Sequence, residues 1–98
     1  MLFMVVERFK NGDPAPVRER FEKHGRMLPE GVTYVTSWID SPRARCFQVM
    51  EAANRGKLDE WIANWSDIVD FDVIPVIASQ EYWKMIRDAR SNRASTGS

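Results

Sequence analysis

Glu7 stands in the segment Leu2–Phe9, LFMVVERF, where Phe3, Val5 and Phe9 occupy the alternating positions around it. In an extended chain these side chains share one face, so a carboxylate is set among apolar groups. Burial of that kind raises a carboxyl pKa and suits the group to general acid or base work. The competing reading is an ion pair with an arginine of the same or a partner chain. Tyr34 and Trp38 in VTYVTSWID, and Phe47 and Glu51 in RCFQVMEA, add aromatic and acidic groups at alternating spacing. If the segments pair, Trp38, Phe47 and Glu7 form one row and Tyr34, Glu51 and Phe3 another. An aromatic wall with one polar group reads as a small-molecule pocket, or as a plain association surface, where Trp and Tyr are enriched anyway. Glu7, Tyr34, Trp38, Phe47 and Glu51 are therefore the ligand-binding candidates, and Glu7 is the one catalytic candidate. Glu7 and Glu51 are expected at opposite ends of antiparallel strands, so they do not form a glycosidase-like pair, which needs roughly 5–10 Å.

The other reactive residue types read more plainly. His24, the only histidine, is expected in the last turn of a helix, where a cation suits the dipole. A lone histidine is poor ground for a metal or haem site. Cys46 is the only cysteine, which excludes an internal disulfide and a multi-cysteine metal site; it is expected buried and inert. Asp67, Asp70 and Asp72 lack the glycine turn and ligand order of a calcium loop and read as solvated. Arg43 and Arg45 flank a turn and read the same way. Lys84, Arg87, Arg90 and Arg93 make a mildly basic helix tip, balanced by Glu81 and Asp88. G-x-S-x-G, P-loop, H-E-x-x-H and Rossmann glycine patterns are all missing from the sequence. No cofactor and no metal is expected.

These residues need elements to position them. The chain has 98 residues, enough for one small domain with a thin core. Fourteen basic and fourteen acidic residues cancel, so the footprint of a general nucleic-acid binder is missing. No apolar run approaches the ~18 residues of a membrane span. The apolar start, Met1 to Val6, meets Glu7 with no basic leader, so no secretory signal is expected and the cytoplasm is the default. Leu2–Phe9 reads as a first strand, stopped by Asn11-Gly12-Asp13-Pro14. Asp13 and Pro14 suit the start of a helix, with Val17, Phe21 and Leu28 on its apolar side and Gly25 or Pro29-Glu30-Gly31 as its end. Val32–Asp40 and Arg45–Ala52 form a hairpin around Ser41-Pro42-Arg43-Ala44. Asn54 caps a second helix in which Leu58, Trp61, Ile62, Trp65 and Ile68 keep helical spacing. Phe71–Ala78 is a fourth strand, and Pro75 places it at a sheet edge. Ser79 caps a short third helix with Tyr82, Ile86 and Ala89 on one face. The last residues, from Ser91, are small and polar and read as a frayed, flexible tail, so the domain spans 1–90 and the tail 91–98.

The order β-α-β-β-α-β plus a terminal helix predicts an α+β, ferredoxin-like sandwich with a four-stranded antiparallel sheet. Within it, small Ser37 and Cys46 mark the face on which helices approach closely, with Trp61 and Trp65 filling that core. The opposite face is then expected to carry Phe3, Val5, Glu7, Phe9, Tyr34, Trp38, Phe47, Val49 and Glu51. A bare face this aromatic calls for a cover, and a second copy about a two-fold axis supplies one, with a cavity between the sheets.

Several local runs carry a resemblance: Val6-Glu7-Arg8-Phe9, Gly25-Arg26-Met27-Leu28-Pro29-Glu30-Gly31, Ser37-Trp38, Arg45-Cys46-Phe47-Gln48, Glu60-Trp61, and Trp65 through Asp70 leading to Val73-Ile74-Pro75-Val76. In these the stretch from Met1 to about Tyr82 resembles the bacterial family called domain of unknown function 3303. The resemblance implies a place among dimeric α+β barrel proteins. That group includes small monooxygenases, haem-degrading enzymes, isomerases and members with no known activity. The family brings no established activity, so it assigns no functional residue here, and fold likeness alone supplies none. Superfamily members that use a strand-borne histidine have no counterpart in this chain.

Two functions compete. One is a homodimer that binds a small organic molecule, or turns one over without a cofactor, at Glu7, Trp38 and Phe47. The other is a non-catalytic assembly or protein-interaction domain whose aromatic face serves association alone. An RNA reader on the same topology is disfavoured, because Glu7 and Glu51 carry the wrong sign and the chain is neutral. No nucleic-acid and no membrane partner is expected.

Overall fold

A computed structural model describes residues 1–40 and 44–96. Strand β1 (Leu2–Phe9) runs into a single 3₁₀ turn, followed by α1 (Ala15–His24), β2 (Val32–Ile39), β3 (Arg45–Ala52), α2 (Arg55–Ala63), β4 (Val69–Val76) and α3 (Ser79–Thr96). The strands form one antiparallel sheet in the order β2-β3-β1-β4. This is the α+β, ferredoxin-like arrangement that the element order predicts. β1 is internal and β4, with Pro75, is an edge. Ser41, Pro42 and Arg43, which make up most of the expected hairpin turn, lie outside the described residues, as do the side chains from Ser91 onward.

Local chemistry sets the element ends. Asp13 Oδ1 accepts a hydrogen bond from the Ala15 amide at 3.0 Å, and Pro14 and Pro16 supply first-turn backbone angles. Gly25, at φ 66°, turns the chain out of α1 immediately after His24, so the helix stops short of Leu28. The Asn54 carboxamide oxygen accepts from the Lys57 amide at 2.9 Å, an N-cap for α2. Beyond Ala63 the backbone tightens into three-residue turns: the Trp65 amide donates to the Ile62 carbonyl at 2.9 Å, and the Ile68 amide to the Trp65 carbonyl at 3.0 Å. Trp65 therefore stays in the core although α2 ends before it. β4 begins at Val69, two residues ahead of the expected Phe71, and α3 continues to Thr96, past Ser91.

The core lies between the sheet and α2. It holds Phe3, Val5, Val32, Met50, Ala52, Leu58, Trp61 and Trp65. Trp61 meets Phe71 of β4 edge to face, with centroids 5.6 Å apart. Each large side chain buried here stabilises the fold by about 1.5–3 kcal/mol, so α2 and its following turn anchor the sheet.

The sheet faces differ from expectation in one respect. Across β1 and β3, Phe3 pairs with Met50, Val5 with Gln48 and Glu7 with Cys46. Residues directly opposite in antiparallel strands share a face, so Phe3, Val5, Glu7 and Phe9 lie beneath the helices with Cys46, Gln48 and Met50. The side of the sheet away from α1 and α2 carries Leu2, Met4 and Val6 from β1. Trp38 does pair with Phe47 and Thr36 with Val49, as the hairpin predicts, but a bulge between Tyr34 and Thr36 sets Tyr34 opposite Met50 instead of Glu51. Tyr34 thus joins the helix side. The far face keeps Leu2, Met4, Val6, Thr36, Trp38, Phe47, Val49 and Ile74, with Trp38 58% and Ile74 51% exposed.

Candidate functional site

Glu7 is buried in the centre of the helix-covered face at 9% exposure. Its strand neighbours are Cys46 of β3 and Phe71 of β4. Burial is the main influence on its carboxyl and raises the pKa above the ordinary 4.5; the Cys46 thiol and the charge of Arg26 oppose that rise. The same burial, with the Glu7 charge beside it, pushes the Cys46 thiol up to about 12. Cys46 is thus a thiol and not a thiolate nucleophile, in keeping with its expected inertness. It donates to Gln48 Oε1 at 3.8 Å, and Gln48 Nε2 lies 3.0 Å from Met50 Sδ.

Glu7 opens on a cavity of about 140 Å³ between the sheet and the helical layer. Phe9, Val17, Phe21, Ile39, Trp61 and Trp65 give it apolar walls, and Glu7, Gln48, Cys46 and Arg26 supply its polar groups. An apolar cavity of roughly 150 Å³ takes up one benzene molecule, so this space suits a ring-sized body.

Arg26 is the site residue that sequence reasoning passes over. It sits between Gly25, at φ 66°, and Met27, at φ 55°, in the turn that follows α1. A non-glycine residue in the left-handed region persists only where its surroundings hold it, and here they do. The Arg26 carbonyl accepts from the indole N–H of both Trp61 and Trp65, each at 3.1 Å. The Asn64 carboxamide donates to the Met27 carbonyl at 3.0 Å. The Arg26 guanidinium lies 3.6 Å above the Tyr34 ring centroid and 5.2 Å from that of Phe21. Tyr34 is itself fixed by a 2.7 Å hydrogen bond between its hydroxyl and Ser37. The sequence signals Tyr34, Phe21, Trp61 and Trp65 by their spacing and Gly25 as a break, but nothing in it brings them together on Arg26.

The five candidates therefore separate. Glu7 lines the cavity and Tyr34 reaches it through Arg26, whereas Trp38, Phe47 and Glu51 lie on the far face of the sheet. Glu7 and Glu51 are on opposite faces, so the expected rows joining Glu7 with Trp38 and Phe3 with Glu51 do not form. His24 occupies the last turn of α1, beside an exposed depression lined by Pro16, Glu19, Arg20 and Lys23. Among the described residues no group of three His, Cys, Asp or Glu could hold a metal. The three aspartates are ion-paired as well as solvated: Asp72 with Arg8, Asp70 with Lys10 at 3.8 Å, and Asp67 with Arg20 in a two-pronged contact at 2.6 and 2.7 Å. The Arg20 hydrogen bonds hold the Asp67 carboxyl down at about 2 and tie α1 to the turn after α2. No described helix is long and apolar enough to cross a membrane.

No curated protein and no solved structure matches this chain. The comparison that does succeed agrees with the resemblance of the local runs and extends over nearly the whole sequence: residues 1–90 match the family described as Domain of unknown function (DUF3303), and the chain belongs to that family.

Proposed function

We propose that this domain binds a small organic molecule, one ring in size, in the cavity beneath its helices, and that it does so as a homodimer joined through the far face of the sheet. The observation that carries the reading is Glu7: a carboxyl sunk among Phe9, Phe71 and Trp61 yet opening on a cavity. Keeping an ionisable group in such a place costs stability, and a structural role would close it off in an ion pair. Among the described residues Glu7 forms no salt bridge. A carboxyl whose neutral form is favoured by burial can donate a hydrogen bond to a ligand or exchange one proton with it. Cys46, held as a thiol, leaves Glu7 as the proton-exchanging group of the cavity.

The test is an NMR titration with ring-sized fragments, read on the indole N–H signals of Trp61 and Trp65. Binding fragments move those two signals, and Val17→Phe, which fills the cavity from α1, abolishes the movement while the rest of the spectrum stays native. Fragments that bind the native protein and Val17→Phe alike would place the ligand elsewhere and overturn the reading.

A further inference from the structure

We infer that the molecule taken up beneath the helices is a monocarboxylate with an apolar body, and that Arg26 is the residue selecting it. The inference deepens the reading of the cavity as a ligand site and rests on it.

Arg26 lines the cavity and makes no salt bridge among the described residues. That sets it apart from the arginines that tie the fold together. Arg8, Arg20, Arg45 and Arg55 each meet an aspartate, and Arg18 meets Glu22. Arg26 is held instead by stacking on Tyr34, by contact with Phe21, and by two indoles clamped on its own carbonyl. Stacking occupies the face of a guanidinium and leaves its N–H edge free, and that edge matches a carboxylate through two parallel hydrogen bonds. The immobilised group also loses little rotamer freedom on binding, which favours affinity.

The remaining lining fits the same ligand. Among the described residues, Arg26 and Glu7 are the only lining residues of charged type. Burial works against ionisation of Glu7 while the Arg26 charge favours it, and the two form no salt bridge among the described residues, so Glu7 does not occupy the guanidinium edge. A bound carboxylate would favour its neutral form further, leaving an O–H to donate. Phe9, Ile39, Trp61 and Trp65 offer nothing to a second charge, so a dicarboxylate or a phosphate ester gains no second partner from them.

Benzoate and its neutral counterpart benzamide test the inference on the full chain, with the Trp61 and Trp65 indole signals as readout. Benzoate is expected to bind at least tenfold more tightly than benzamide. In Arg26→Gln that preference is expected to vanish while benzamide still binds, which also shows that the variant is folded. Arg26→Lys, with its charge kept and its planar edge lost, is expected to fall between. Equal binding of both probes to the native protein would overturn the inference and leave the cavity reading standing. So would a benzoate preference that survives in Arg26→Gln. Failure of both probes to move either indole signal would overturn the cavity reading and the inference together.

Discussion

Glu7 shows how one side chain can record a conflict between stability and use. Its carboxyl is raised above the ordinary 4.5 chiefly by burial, against the opposing influence of Cys46 from β3 and Arg26 from the α1–β2 turn; β4 and α2 present Phe71 and Trp61, which carry no charge. The sign of the linkage follows. A carboxyl whose folded pKa exceeds its unfolded value binds a proton more tightly in the native state, so its contribution is fully present below about pH 4.5 and is lost as the pH rises through the folded pKa. Glu7→Gln removes the ionisation, so it should raise the melting temperature at pH 8 and change it little at pH 4. Thermal melts of the two proteins across that range check this; a variant destabilised equally at both ends would mean that Glu7 is held by partners and not penalised by burial. Glu7 was legible in the sequence because alternation with Phe3, Val5 and Phe9 marks an acid in apolar company. Arg26 was not, because a turn residue has no periodicity. Its role comes from the left-handed geometry of Gly25 and Met27, and from two indoles contributed by residues 35 and 39 positions away.

At the level of elements, the site is assembled by one carbonyl. Trp61 belongs to α2 and Trp65 to the turn after it, and both donate to Arg26 at the end of the α1 connection. α1 buries no residue fully; Val17 packs from it against the core, and these bonds and the Arg20–Asp67 contact add to that in setting its place over the cavity. Trp61→Phe and Trp65→Phe each remove a neutral hydrogen bond, worth about 0.5–1.5 kcal/mol. In either single variant the carbonyl keeps one donor. The double variant leaves it with none, which adds a penalty of about 1–3 kcal/mol, so urea unfolding should show the pair costing more than its parts. Strictly additive losses would mean that water replaces the indoles. The elements themselves were readable: β1 and β3 match their expected spans, Asn54 caps α2, and Pro75 falls on an edge strand. What escaped was the pairing of faces. A short hairpin turn fixes the register of β2 against β3, and Trp38 opposite Phe47 followed correctly. No turn joins β1 to β3, so either alternating set of β1 could face the helices, and an unforeseen bulge at Val35 moved Tyr34 to the other side.

For the molecule as a whole, the corrected faces change the reason for a dimer without removing it. Phe3, Val5 and Phe9 are sheltered by the helical layer, yet Leu2, Met4, Val6, Phe47, Val49 and Trp38 remain on a face that α1 and α2 do not cover. Tyr82, Trp83, Met85 and Ile86 of α3 are also between 44% and 60% exposed. A four-stranded sheet of eight-residue strands measures roughly 26 by 19 Å. That is about 490 Å² of flat area, so the relief of its side chains must supply the rest of the ~800 Å² per partner of a stable interface. Arg8 pairs with Asp72, which stands opposite Val6, and Arg45 pairs with Asp40 and lies 5.1 Å from the Phe47 ring centroid; Met4, between Val49 and Ile74, is left in the apolar part. A carboxylate introduced there would be buried without a partner in a face-to-face pair. Met4→Glu and Trp38→Glu should therefore convert a two-chain species to single chains in light scattering, with the circular dichroism of the sheet retained, since neither residue belongs to the core under the helices. Two results would reject the pairing: a native protein that is a single chain at micromolar concentration, or a dimer that survives both substitutions. The cavity lies on the opposite side of the sheet from the proposed contact, so dissociated variants should still take up ring-sized fragments; loss of binding together with loss of pairing would mean that the partner completes the site.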